Sequence, residues 1–155
     1  MTHNGEHTTA AHIHPTVLII DDDDDLRGWV RETLQMAGYP TLEAADGTTA
    51  LNLLRAQQTP LVVLVDMMLP GINGTKLLDI VAHNHHLAVH NTYIVITGRS
   101  RLAFPAAWQL AKSIEAITLD KPFSAEELLE AVAQCGSKLV MPLARSEAYE
   151  DPSFQ

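Results

Sequence analysis

Apolar and polar positions fall into blocks along this chain, and the blocks switch between a strand-like and a helix-like period. Residues 17–20, VLII, form a short branched apolar run that predicts a buried strand. An acidic turn, Asp21 to Asp25, follows it. Leu26, Trp29, Val30, Thr33, Leu34 and Ala37 then recur at helical spacing, with Gly38 as the stop. Residues 39–44 read as a second strand, which Pro40 places at a sheet edge. Asp46-Gly47 is a turn, and Ala50, Leu51 and Leu54 mark a second helix. Residues 61–65 are apolar at every position, the mark of a strand covered on both faces. Pro70-Gly71 and Asn73-Gly74 punctuate the next loop, before a third helix carrying Leu77, Leu78, Val81 and Ala82. Residues 93–97 predict a fourth strand, 101–114 a weaker helix with Pro105 near its first turn, and 116–119 a fifth strand. Ser124 and Glu127 form a capping box for a last helix bearing Leu128, Leu129, Val132 and Cys135.

Strand and helix thus alternate five times, which implies right-handed crossovers and an α/β fold with a doubly wound parallel sheet. Residues 1–15, polar and rich in His and Thr, read as a mobile arm, and 138–155 as a flexible tail around a domain spanning 16–137. Ligands in such a sheet bind beyond the carboxyl ends of the strands. Chemistry is therefore expected just after residues 20, 65, 97 and 119.

Composition narrows the partners. The chain of 155 residues carries 10 basic and 19 acidic residues, a formal charge of −9. That balance argues against nucleic acid, which calls for a basic face. The longest apolar runs are too short to span a bilayer, and the first fifteen residues lack a signal peptide's basic start and apolar segment, so no membrane partner is expected. The one cysteine, Cys135, forms no internal disulfide and suits a reducing, cytoplasmic setting.

The strand ends hold Asp21 and Asp22, Asp66, Thr97 and Lys121. Three carboxylates, a hydroxyl and an ammonium converge there from strands one, three, four and five. Clustered carboxylates repel one another and are costly to keep ionised when desolvated. A hard divalent cation resolves the conflict, and Mg²⁺ favours a few carboxylate oxygens together with phosphate. The residues therefore read as a phosphoryl-transfer site, with Asp66 as carboxylate nucleophile and Lys121 neutralising charge on the phosphoryl oxygens.

The stretches VLIIDDDDDLR, GYPTLEAADGTTAL, LVVLVDMMLPGINGTKLL, IVITG and LDKPFSAEELL, spread over residues 16–136, resemble in order and spacing the receiver domain of bacterial two-component response regulators. The resemblance implies a flavodoxin-like five-stranded sheet of order 2-1-3-4-5 with five helices. It implies Asp66 as phosphoacceptor, Asp22 as a direct Mg²⁺ ligand, Asp21 acting on the metal through water, and the main-chain carbonyl of Met68 as a further ligand. Thr97 would contact the phosphoryl group, Lys121 would pair with it, and Lys121-Pro122 would be a cis peptide. The implied donor is a phosphohistidine on a sensor histidine kinase or histidine phosphotransfer protein. Without an effector domain, the implied output of this stand-alone receiver is contact with a further, unidentified protein.

The sequence departs from the family pattern at three places. Thr118 stands where an aromatic ring is usual, Gly98 where alanine is frequent, and Glu115 where glycine is frequent. These leave the phosphorylation chemistry intact but imply another output route, through the helix at 101–114 and Trp108. Asp23, Asp24 and Asp25 read as a solvated turn and helix-start charges rather than extra metal ligands. His3, His7, His12 and His14, and likewise His83, His85, His86 and His90, fit no closed zinc spacing and read as solvated. Met67 and Cys135 read as packing residues, and Trp29 as an ordinary amphipathic-helix residue. Two other functions stay open from the sequence: a pseudo-receiver that never takes phosphate, and a Mg²⁺-dependent phosphohydrolase with an aspartyl intermediate. The latter commonly needs a second Asp two residues after the nucleophile, where this chain has Met68.

Overall fold

The computed structural model describes residues 14–69, 73–98 and 105–139. Five parallel strands, β1 (Thr16–Ile20), β2 (Thr41–Ala44), β3 (Leu61–Asp66), β4 (Thr92–Thr97) and β5 (Ile117–Asp120), form one sheet in the order β2-β1-β3-β4-β5. The expected edge strand is at the edge. Six helices connect and cover the strands: α1 (Asp24–Met36), α2 (Gly47–Ala56), α3 (Gly74–Ala82), α4 (His85–His90), α5 (Pro105–Ser113) and α6 (Ala125–Ser137). The sheet is the expected one, and α4 is a helix more than the five expected. None of the described helices is long and apolar enough to cross a membrane.

Helices on both sides make two cores, and alternate residues of each strand feed them. Leu18, Ile20, Val63, Val65 and Val95 pack with α2, α3, α4 and α5 on one face. Val17, Ile19, Val62, Leu64, Ile94 and Ile96 pack with α1 and α6 on the other. β3 lies in the middle of the sheet, which is why it is apolar throughout its first five positions. The extra helix α4 has only Leu87 fully inside the core. Its sequence, HHLAVH, carries no apolar stripe, so its periodicity was too weak to announce it. Asn84 starts it by accepting a hydrogen bond from the Leu87 N–H at 3.1 Å.

The ends of the helices follow their side chains. Asp23 caps α1, Asp46 caps α2, Asn73 caps α3 and Ser124 caps α6, each accepting from a main-chain N–H two or three residues on. α5 ends differently. Glu115 adopts φ of 56°, and the Ala116 N–H donates to the Ala111 carbonyl at 2.9 Å. This is a left-handed helix stop of the kind glycine usually makes. A non-glycine residue there costs roughly 1 kcal/mol.

The His14 and Tyr39 rings meet at a tilt of 38° with centroids 4.3 Å apart, and Leu139 packs against the α1–α6 core. Residues 1–13 of the expected arm, with His3, His7 and His12, residues 140–155 of the expected tail, and Pro70-Gly71 lie outside the described residues.

Asn91 is the buried polar link between α4 and the sheet. Its Oδ1 accepts from the Leu61 N–H at 2.9 Å and its Nδ2 donates to the Leu87 carbonyl at 3.3 Å. Replacing Asn91 with alanine leaves the Leu61 N–H buried without that acceptor. Asn91→Ala is expected to lower stability by about 1–3 kcal/mol, read as a lower urea midpoint with an unchanged slope. An unchanged midpoint would refute this role.

Candidate functional site

The strand register delivers the site. Ile20 lies opposite Val65, so Asp21 and Asp66 leave neighbouring strands side by side. Asp66 lies opposite Ile96, and Thr97 opposite Asp120, which sets Thr97 one step and Lys121 two steps further along. All four predicted positions meet at one end of the sheet.

Asp21, Asp66 and Thr97 are buried there, whereas Asp22 is exposed. Carboxylate oxygens of Asp21, Asp22 and Asp66 lie within 4.8 Å of one another. This is the one such group of three or more acidic, His or Cys donors among the described residues. Lys121 Nζ donates to Asp66 Oδ2 at 2.6 Å, and the Met68 N–H donates to Asp66 Oδ1 at 2.9 Å. The Lys121 N–H donates to the Thr97 carbonyl at 2.9 Å, joining β4 to the loop that carries the lysine. Lys121-Pro122 is cis, as the resemblance implied. Met67 is buried and Met68 half exposed.

Electrostatics follow from burial and crowding. Desolvation pushes the Asp21 carboxyl up to about 6, with Asp66 and Asp22 repelling its charge and the Asp23 N–H partly offsetting the rise. Burial opposes the Lys121 charge, yet its hydrogen bond and attraction to Asp66 hold the ammonium above the ordinary lysine value. The one lysine cannot neutralise three carboxylates. The donor set, all oxygen and partly open to solvent through Asp22, fits a hard divalent cation.

Three residues that shape the site went unrecognised as such in the sequence. Gly74 looked like turn punctuation, but a Cβ there would stand 2.5 Å from Met67 Cα and 2.7 Å from the Asp66 carbonyl oxygen. Only glycine lets α3 begin against the backbone that follows Asp66. Arg27 Nη1 donates to the Asp21 carbonyl at 2.7 Å, while Nη2 reaches Asp24 and Nε reaches Glu43. Glu43 is the distant partner, sixteen positions away on β2. The Asp24–Arg27 spacing was the only local signal.

Two spaces flank the site. Met67, Val95, Thr97, Ala107, Trp108 and Ala111 line a small cavity. Trp108 also borders an open groove of about 550 Å³ shared with Pro105, Lys112, Ala116 and Thr118. Beside Lys121, the Trp29 and Phe123 rings, 5.9 Å apart, form an apolar shelf with Leu26 and Pro122. His86 and His90 stack on each other at 4.8 Å, and His83 pairs with Asp79 at 3.2 Å.

The chain belongs to the response regulator receiver domain family, whose model matches residues 17–133. It is 31% identical over 120 residues to sporulation initiation phosphotransferase F of Bacillus subtilis (strain 168), covering 75% of this chain and 89% of that protein. It is 29% identical over 139 residues to the uncharacterized transcriptional regulatory protein YrkP of the same organism, covering 90% of this chain and 54% of that protein. The chain thus spans about half of YrkP. Among solved structures, chemotaxis protein CheY4 of Vibrio cholerae matches with a TM-score of 0.66 and 29% identity over 78% of this chain and 98% of that one. The receiver domain of the sensor histidine kinase PA1611 of Pseudomonas aeruginosa PAO1, solved with a magnesium ion in its active site cleft, shares the fold at a TM-score of 0.68 and 19% identity, over 79% of this chain and 98% of that one.

The raised Asp21 carboxyl sets the sign of a stability effect in metal-free protein. Its folded value near 6 exceeds the ordinary 3.8, so the folded state binds the extra proton between them. The resulting penalty is full above pH 6 and vanishes as pH falls towards 3.8. Asp21→Asn is therefore expected to raise Tm in chelator at pH 7 by roughly 5 °C, with the gain shrinking at pH 4. Mg²⁺ should raise the Tm of the wild type more than that of the variant. A fall in Tm on substitution at pH 7 would refute the cost assigned to the buried, crowded Asp21 charge.

Proposed function

We propose that this chain is a phosphorylation-controlled binding module in which Asp66 accepts a phosphoryl group. The donor is the phosphohistidine of a sensor histidine kinase or histidine phosphotransfer protein. A carboxylate oxygen of Asp66 bonds to phosphorus as the phosphorus–nitrogen bond of the donor breaks; the donor ring carries a proton on its other nitrogen, so the bonding pair leaves on a neutral imidazole and Asp66 becomes an acyl phosphate. Asp21, Asp22, Asp66 and the main-chain carbonyl of Met68 would hold Mg²⁺, which supplies charge neutralisation to the phosphoryl oxygens. Lys121 orients Asp66 beforehand and pairs with a phosphoryl oxygen afterwards, and the Thr97 hydroxyl hydrogen-bonds the same group. Water attacking the acyl phosphate resets the site.

The observation that carries this reading is the Lys121–Asp66 contact of 2.6 Å at the centre of the carboxylate cluster. Family membership supports it, as does the magnesium ion in the PA1611 receiver's cleft. A pseudo-receiver is disfavoured because the three acids and the lysine come together. A phosphohydrolase is disfavoured because Met68, a thioether, stands where a proton-transferring acid would be needed. The self-reaction of a receiver is not turnover of an outside substrate.

Incubation with acetyl phosphate and Mg²⁺ is expected to give one phosphoryl adduct by intact-mass spectrometry. The adduct should be lost with chelator and in Asp66→Ala. Folded protein that binds Mg²⁺ but gives no adduct, with either acetyl phosphate or a phosphohistidine donor, would favour the pseudo-receiver. Steady phosphate release over many turnovers would favour the phosphohydrolase.

Output runs through α5, in this reading. Trp108 borders both the cavity lined by Thr97 and the open groove beside Thr118, so a shift of Thr97 changes the packing of the indole. With Trp29→Phe removing the other tryptophan, beryllofluoride plus Mg²⁺ is expected to change Trp108 fluorescence. Identical spectra with the mimic bound would exclude this route.

A further inference from the structure

Arg27 bonds to the backbone of the metal-side loop, and we infer that it is the positioning residue for Asp21 and Asp22. This rests on the Mg²⁺ site of the reading above.

The main chain of Asp21 is held from two directions. Its N–H donates to the Ala44 carbonyl at 3.1 Å, and its carbonyl accepts from Arg27 Nη1 at 2.7 Å. The Asp21 carboxylate then accepts from the Asp23 N–H at 3.0 Å, and the Asp23 carboxylate accepts from the Asp25 N–H at 3.0 Å. The turn from the end of β1 to the start of α1 is thus bonded along its length, and Arg27 joins its two ends. One planar guanidinium serves three acceptors: the Asp21 carbonyl, Asp24 Oδ1 at 2.7 Å and Glu43 Oε1 at 3.3 Å. A lysine has no such fixed fork.

Charge points the same way. A bare cation beside three carboxylates would compete with a divalent ion for them. Asp24 and Glu43 pair with the guanidinium and hold it strongly protonated, so Arg27 meets the loop as a hydrogen-bond donor whose charge is already matched. Stapling α1 to β2 does not need Arg27, because Arg31 Nη1 also reaches both Glu43 oxygens, at 3.2 and 3.3 Å. What Arg27 adds is the bond to the Asp21 carbonyl. Partners one step behind metal ligands commonly tune affinity 10–100-fold.

The test uses Arg27→Met, Arg27→Lys and, as a staple control, Arg31→Met. Mg²⁺ affinity is measured by calorimetry, and hydrogen exchange at the Asp23 amide is measured in metal-free protein. Arg27→Met is expected to raise the Mg²⁺ Kd roughly tenfold and speed Asp23 exchange, with phosphorylation recovering at saturating Mg²⁺. Arg27→Lys should not restore the affinity, and Arg31→Met should lose stability while keeping the Kd. A folded Arg27→Met with wild-type Kd and exchange would overturn the inference alone. A wild type that binds no Mg²⁺ would overturn the proposed function and this inference with it.

Discussion

Three carboxylates held within 4.8 Å of one another at the ends of adjacent strands repel, and the rest of this structure is arranged around that repulsion. The fold cannot relieve it by moving one acid away, because two of the three side chains leave the central strands β1 and β3 directly. It offsets part of it with Lys121 and with main-chain N–H donors from Asp23 and Met68. It leaves part of it standing: burial, with repulsion from Asp66 and Asp22 added to it, raises the Asp21 carboxyl. The donor chemistry of such a site suits a hard cation. Asp66, held on both oxygens by Lys121 and the Met68 N–H, is the acid the proposed phosphoryl transfer assigns as acceptor.

The register links this local conflict to the far edge of the sheet. Asp21 and Asp66 stand level on β1 and β3, and the steps to β4 and β5 then move the functional residue further along the strand direction, to Thr97 and to Lys121. The far end of that staircase is β5, and Thr118 and Trp108 border one groove beside it. In the proposed function a group on Asp66 would act on that groove through Thr97, because Thr97 and the Trp108 indole line one small cavity. Thr118 cannot fill the volume of the usual aromatic ring, and Trp108 is the only aromatic side chain lining that groove among the described residues.

Much of this was legible in the chain. The all-apolar β3, the VLII of β1 and the polar residues immediately beyond them announce a parallel sheet and its reactive end, because burial on both faces leaves an unmistakable pattern. The lysine was legible through the proline and phenylalanine after it. What stayed hidden has a common physical cause: it depends on contacts between distant segments. Asn91 bonds Leu61, thirty positions away, and nothing around either residue marks the pair. Arg27 meets Glu43 on β2 only after the sheet has formed. Gly74 resembles any loop glycine until α3 is seen to begin against the Asp66 backbone. α4 escaped because a short helix with one buried leucine leaves almost no periodic trace.

The central claim is that the Asp66 carboxylate itself becomes an acyl phosphate. Borohydride reduces an acyl phosphate of aspartate to homoserine and leaves free carboxylates intact. Peptide mass spectrometry after phosphorylation in Mg²⁺ and borohydride treatment reads the position directly. Homoserine at position 66 alone is expected. Homoserine at Asp21 or Asp22, or a phosphoryl group that resists borohydride, would contradict it.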